Sequence, residues 1–393
     1  MNESALSFAR EERLKSAIVK SHLSHTKRIS SLSWSCTGHL LASGSQDQTI
    51  RLWSLDHATG ALKKPTDVLR GHSGTVDALA WHPTDANVLA SGSSDRSVMI
   101  WNTKGGGAAN VSVTRIELKG QTLSLSWSVD GSFLFAGTRE DMFFMIEGRR
   151  GAIVMQHQFN MELNEFALTP SGLIYCAMGN RGAAVDEGMV IVCKLVQSSS
   201  PLKATTTTST TTPSSNGSSS TTATTTSTTS SSSDALNIRW VLEEVVRVKA
   251  NASPIISLKF SPSFSTFATG AGDSIVSLWD SSEVACVRTI DKADSQIRGV
   301  SFSFSGEHLA VACGDKDESN KTLDIFRVTD GARIRSVPVR ESCSVNYVAW
   351  APQSMVLAFA LDEPLNAKPA QAVPPGTLPP PSESGALRLL VAN

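Results

Sequence analysis

His25, Trp34, Leu41-Ala42-Ser43, Asp47 and Trp53 are followed by His72, Trp81, Leu89-Ala90-Ser91, Asp95 and Trp101, the same residues in the same order. From His to the first Trp is nine residues in both copies, and from Asp to the second Trp is six. A supersecondary unit repeated at a fixed period builds an array, so the repeat has to be read before any single motif. Within the second copy Val76, Ala78 and Ala80 alternate with Asp77, Leu79 and Trp81. A turn follows at His82-Pro83-Thr84-Asp85, and a tighter one at Ser93-Ser94-Asp95-Arg96 leads into Val98-Met99-Ile100-Trp101. Alternation of this length between Gly, Ser and Asp turns reads as short strands.

The position of Trp81 recurs at Trp34, Trp127, Leu168, Phe260, Phe302 and Trp350, with gaps of 47, 46, 41, 92, 42 and 48 residues along the series. The anomalous 92 contains the run 197–234, made almost wholly of Ser and Thr, and removing those 38 residues leaves 54, close to one repeat. The count is seven. Four-stranded units of roughly 40–45 residues with Trp-Asp punctuation resemble a WD40 β-propeller, so the expected fold is all-β, a seven-bladed ring. The likeness is strong in units one, two and five, where Ala268-Thr269-Gly270 leads to Asp273 and Trp279-Asp280. It decays elsewhere: Glu140 and Ile146 stand where the third unit should have Asp and Trp, and Phe326 replaces the Trp of the sixth.

An open ring leaves a sheet edge exposed, and rings of this kind close by lending an N-terminal strand to the last blade. Residues 14–23 are the expected closing strand, although 3–20, rich in Glu, Arg, Leu and Ala, also read as a helix. The expected organisation is a flexible 1–13, blades one to four over 14–196, and a disordered insertion in blade four over 197–234. The rest of blade four and blades five to seven follow over 235–393, with a Pro-rich loop at 363–385. The insertion has too little apolar surface to offset its ordering entropy. It should leave the wider face of the ring, where third and fourth strands connect.

Thirty-five basic against 36 acidic residues give no electrostatic reason for autonomous nucleic-acid binding. The six cysteines have no zinc spacing and read as buried thiols of a reducing compartment. The N-terminus lacks the apolar core of a signal peptide and no run is long enough to span a membrane, so a soluble intracellular protein is expected. Four Asn-x-Ser sequons are then coincidences of a Ser-rich composition.

His72, Ser91 and Asp95 are also the residue types of a serine hydrolase, and His25, Ser43 and Asp47 repeat them. A hydrolase needs one such set, with its Ser on a strained turn beside an oxyanion hole. Here the Ser lies inside a predicted strand and the set occurs twice. The WD40 resemblance implies instead a structural hydrogen-bond tetrad within one blade: His25, Ser43, Asp47 and Trp53 in the first, and His72, Ser91, Asp95 and Trp101 in the second. The fifth keeps Thr269, Asp273 and Trp279 but carries Asn251 for His. Gly105-Gly106-Gly107 has no following helix or Lys-Ser/Thr pair to cradle a phosphate. No cluster has metal-ligand spacing. The expectation is no enzyme, no cofactor, no metal and no small-molecule substrate.

More specific stretches lie in Phe159-Asn160-Met161-Glu162-Leu163-Asn164-Glu165, in Phe267 to Ile290, in Ile297 to Ser303 and in Val348-Ala349-Trp350-Ala351-Pro352. Over residues 22–360 the chain resembles the THO complex subunit 3 family, the WD-repeat component of an assembly that couples transcription to mRNA packaging and export. The insertion, the missing fifth-blade His and the Pro-rich loop depart from the pattern and put loop-borne contacts in doubt. The resemblance implies a nuclear, non-enzymatic scaffold docked on other THO subunits, especially the large helical one. Its association with mRNA, an RNA helicase and export adaptors would be indirect. Propeller geometry then places Arg28, Gln46, Thr75, Asp77 and Ser94 on the narrow, partner-facing side, together with Gln121, Glu162, Asn164, Gln296, Arg298 and Asn346. Another WD40 adaptor, a cullin-ligase substrate receptor or a chromatin-associated scaffold, is the alternative. The Trp-Asp-x-Arg of ligase receptors is absent after Trp53, Trp101 and Trp279.

Overall fold

The seven anchor residues each end an innermost strand: Ile29–Trp34, Val76–Trp81, Thr122–Trp127, Glu162–Leu168, Ile255–Phe260, Ile297–Phe302 and Ser344–Trp350. The computed structural model describes residues 3–392 apart from 24, 58, 64, 66, 105–111, 181–186, 201–236, 292, 294, 315–321, 340–343 and 363–384. Every innermost strand starts an antiparallel meander of successive strands running outward. Neighbouring innermost strands touch all the way round, the last meeting the first. The result is a seven-bladed β-propeller around a central channel.

Second strands such as Leu40–Ser45 and Val88–Ser93 are buried on both faces, because another blade packs on each side. The outermost strand Ala285–Ile290 is exposed except at its end. The cores therefore lie between blades: Ile50, Leu52 and Leu69 of the first blade meet Val76, Trp81 and Met99 of the second. The Ser-Gly-Ser of the repeat serves this packing, since a Cβ on Gly92 would collide with Thr122 of the next blade. The anchor tryptophans stitch blades directly. Trp34 Nε1 donates to Ala349 O at 3.1 Å, Trp81 Nε1 to Ser33 O at 3.0 Å and Trp127 Nε1 to Ala80 O at 3.1 Å.

Ring closure uses the N-terminus, with a different boundary from the one expected. Ile18–Leu23 pairs antiparallel with Ala386–Val391, from Ile18 opposite Val391 to Leu23 opposite Ala386, and completes the seventh blade. The strand starts at Ile18, not at residue 14. Residues 1–13, expected to be flexible, are instead helical from Glu3, in a helix spanning Glu3–Ser16. The physical reason is a set of anchors on the sixth and seventh blades. Leu14 is fully buried among Ile325, Val337 and Trp350. Glu11 accepts from Arg327 Nε at 2.6 Å and Nη2 at 2.8 Å, and Arg10 Nη1 pairs with Glu307 at 2.8 Å. Arg335 donates to the Leu14 carbonyl, which at the helix end also accepts from Ala17 N at 3.3 Å.

The Ser/Thr-rich insertion does fall between the third and fourth strands of blade four, Glu187–Ser200 and Asn237–Asn251. Its expected start at 197 is corrected: Gln197 pairs with Trp240 and the ladder continues to Ser200 opposite Asn237, since backbone pairing needs no apolar side chain. The remainder, 201–236, and the Pro-rich stretch 363–384 lie outside the described residues.

Leu14→Ala should cost about 2–5 kcal/mol by emptying the site that ties the helix to the ring. A urea midpoint equal to that of the parent protein would contradict this role for the helix.

Candidate functional site

An indole N–H can only donate and an ionised carboxylate can only accept, and these two ends fix the direction of the buried polar chain in the first two blades. Trp53 Nε1 donates to Ser43 Oγ at 3.0 Å, and Ser43 Oγ lies 2.8 Å from His25 Nε2. Asp47 can only accept, so the imidazole hydrogen belongs on Nδ1, 2.9 Å from Asp47 Oδ2, and Nε2 is left to accept the proton of Ser43. The second blade repeats the arrangement: Trp101 to Ser91 at 2.7 Å, Ser91 to His72 Nε2 at 2.7 Å, His72 Nδ1 to Asp95 Oδ2 at 2.9 Å. Asp47 also accepts from Thr26 N at 3.0 Å and Thr49 Oγ1 at 2.6 Å; Asp95 accepts from Ser73 N at 2.9 Å and Ser97 Oγ at 2.7 Å.

Burial by itself would raise Asp95, but hydrogen bonds from Ser73, Ser97 and His72 outweigh it and hold the carboxyl at about 2. Asp47 is driven well below the usual carboxylate range by the same balance of burial against bonds from His25 and Thr49. Burial pushes His72 down, against the pull of Asp95, so the ring is neutral beside an ionised carboxylate. Ser43 and Ser91 are fully buried in mid-strand, with no room for a substrate carbonyl. The His-Ser-Asp sets therefore have hydrolase composition without hydrolase access. Among the described residues no group of His, Cys, Asp and Glu could hold a metal ion.

The fifth blade is shorter of one link. Trp279 Nε1 donates to Thr269 Oγ1 at 2.9 Å, while Asn251 Nδ2 lies 3.3 Å from both oxygens of Asp273. The amide does not reach Thr269, and Asn251 Oδ1 is buried with no hydrogen-bond partner among the described residues.

Of the eleven positions expected on the partner face, the structure brings Arg28, Asp77, Asn164, Arg298 and Asn346 to one cavity of about 270 Å³ at the mouth of the channel. Gln46, Thr75, Ser94, Gln121, Glu162 and Gln296 do not line it. Several of them sit where the start of an innermost strand is tied to the next turn, as in Gln46 N to Arg28 O at 2.9 Å and Ser94 N to Thr75 O at 3.0 Å. The cavity floor was missed in the sequence. Glu165 Oε2 accepts from Ser257 Oγ at 2.9 Å and Leu258 N at 2.7 Å, and its other oxygen pairs with Lys259. Lys259 and Tyr347 also border a second cavity of about 470 Å³ on the opposite side, walled by Trp34, Trp81, Trp127, Phe260 and Trp350. They thus mark the waist of the channel. Burial pushes Tyr347 up to about 12, with Glu165 adding to the shift. Burial also lowers Lys259, but Glu165 more than reverses it and keeps the ammonium charged. The available signal was a charged residue among the apolar ones near the end of each of two innermost strands, Glu165 within Glu162–Leu168 and Lys259 within Ile255–Phe260.

With the geometry in place, similarity to known proteins can be weighed. The WD domain, G-beta repeat family matches residues 17–54, 63–102 and 243–280, which take in the three inner strands of the first, second and fifth blades and the outer strand of the blade before each. The chain is 27% identical over 349 residues to THO complex subunit 3 of Arabidopsis thaliana, covering 89% of this chain and 91% of that protein. It is 24% identical over 364 residues to the WD repeat-containing protein AAC3 of Dictyostelium discoideum, covering 87% of this chain and 63% of that protein. The crystal structure of the Cps50 (Swd1) β-propeller domain from Myceliophteria thermophila superposes with a TM-score of 0.65 at 14% identity, over 95% of this chain and 99% of that one. That last likeness is one of fold alone.

Asp95→Ala should cost roughly 1–3 kcal/mol by stranding the proton of His72, whereas Asn251→His should gain about 1 kcal/mol by completing the fifth-blade chain. Equilibrium denaturation checks both, and equal stability of parent and variants would contradict the assignment. Asp77 tests the cavity. Burial pushes it up to about 6 in spite of Arg139 and Arg28. The folded state therefore binds more protons than the unfolded one between the ordinary carboxylate range and pH 6, and this residue's contribution makes stability fall as pH rises through that window. Asp77→Asn should flatten that slope; an identical pH profile would contradict it.

Proposed function

We propose that this chain, a WD40-repeat propeller similar to THO complex subunit 3, is the non-enzymatic scaffold subunit of a THO/TREX-like complex in the nucleus. In that role it helps couple transcription to mRNP assembly and mRNA export. The observation that carries the reading is the extent of the similarity, 89% of this chain and 91% of the relative, which includes the decayed blades as well as the three that match the generic repeat. Generic WD40 features alone would concentrate the match in the first, second and fifth blades.

The site chemistry supports a scaffold. The His, Ser and Asp residues that could mimic a catalytic set are locked into hydrogen bonds within their own blades. The partners in this reading are the other THO subunits, above all the large helical one, with mRNA, helicase and export adaptors reached through the assembly. A chain with 35 basic and 36 acidic residues suits contact with RNA through other subunits better than a dedicated RNA grip.

Affinity purification of the full chain from nuclear extract, read by mass spectrometry, tests the proposal. Recovery of the remaining THO subunits in near-equal amounts is the expected result. Recovery of cullin-ligase components or of chromatin-modifying subunits in their place would overturn it in favour of another WD40 adaptor.

A further inference from the structure

The narrow-face cavity has a charge pattern that the scaffold reading leaves unused. Its lining combines Arg28 from the first blade and Arg298 from the sixth with Asn346 from the seventh, which lies between them. Asp77 of the second blade, close enough to Arg28 to feel its charge, and Asn164 of the fourth complete the polar lining. At the floor Glu165 and Lys259 form an ion pair and cancel. Two guanidinium groups then face one carboxyl group, and that carboxyl is held partly protonated near neutral pH by its burial. The balance at the mouth is positive, on a chain whose overall balance is slightly negative.

The arrangement is also preorganised. Arg298 Nε donates to Gly314 O at 3.0 Å, which fixes the plane of the guanidinium, and no bond from its two terminal nitrogens is recorded among the described residues. A planar fork of this kind matches a carboxylate with two parallel N–H bonds. Size selects further. A volume of about 270 Å³ takes one or two side chains. Single-stranded nucleic acid needs aromatic faces for its bases to stack on, and Tyr347 at the floor is the sole aromatic group in the lining.

We propose that this cavity receives an aspartate or glutamate side chain from an acidic segment of a protein partner, clasped between Arg28 and Arg298 with Asn346 between them. The inference rests on the partner-binding reading of the chain and names the chemistry of one contact within it. Asp77 is an internal competitor: its carboxyl is attracted to Arg28, so neutralising it removes a negative charge that the incoming acid would otherwise meet.

The test uses the full chain and fluorescence anisotropy at low salt, with a fluorescein-labelled (Glu-Gly)4 peptide and its (Gln-Gly)4 counterpart as probes. The acidic peptide is expected to bind and the amide peptide not to bind. Arg298→Glu should weaken the acidic peptide by about tenfold or more, since it puts two like charges where a buried pair would form. Asp77→Asn should tighten it, a change opposite in sign to that of general loss of folding. Equal binding of both peptides, indifference to Arg298→Glu, or displacement of the peptide by oligouridylate at lower concentration than by unlabelled peptide would each overturn the proposal. Failure here is distinct from failure of the scaffold reading: purification of Arg298→Glu with all THO subunits retained, alongside no peptide binding by the parent, sinks the carboxylate site alone.

Discussion

A buried indole that can only donate and a buried carboxylate that can only accept set the polarity of everything between them. Trp53 and Trp101 donate to Ser43 and Ser91, while Asp47 and Asp95 hold each histidine proton on Nδ1, which leaves Nε2 to take the serine proton. In a low-dielectric interior such a chain is stabilising only when every member is satisfied. That condition ties the third strand, the second strand, the entry to the blade and the turn into one unit. It also consumes the groups that would otherwise be reactive. Structural use and catalytic use of the same residue types exclude each other here, because the serine is shut inside a sheet and its histidine proton is already spoken for.

Blades without the chain are held by other means. The sixth blade replaces the indole with the fully buried ring of Phe326, and the helix Glu3–Ser16 braces its flank through the Glu11–Arg327 pair. The third carries Glu140, whose longer side chain accepts from the Gln121 backbone N–H at 2.8 Å in place of a histidine-centred network. Weakly punctuated blades thus depend on their neighbours. The strand Ile18–Leu23 matters for the same reason, since it satisfies the edge of the seventh blade and joins the two ends of the chain.

The ring was legible in the sequence because its signals are local: alternating apolar residues, Ser-Gly-Ser crossings and a Trp at a fixed offset from an Asp. Even Leu168, Phe260 and Phe302, with no Trp to mark them, end innermost strands as the spacing of the repeat indicated. What was not legible is set by contacts between distant segments. A helix was one of the readings open for residues 3–20, but nothing in 3–16 announces that Glu11 meets Arg327 or that Leu14 packs with Trp350, so its docking on the ring was not legible. Five of the positions expected on a partner face line one cavity, yet Glu165, Lys259 and Tyr347 at its floor have no motif. Their pairing exists only because blades four, five and seven face a common axis.

The channel so built is two-ended, with arginine and amide groups at one mouth and a collar of tryptophans at the other. Two chemically different faces can hold different groups without conformational change. The central claim beneath this is that the repeated His, Ser, Asp and Trp residues carry the fold. Native-state hydrogen exchange of the Trp53 and Trp101 Nε1–H protons, followed by NMR, tests it most directly. The account predicts that both exchange only through global unfolding, with the protection of core backbone amides. Exchange at the rate of an exposed indole, in protein that is otherwise folded, would contradict it.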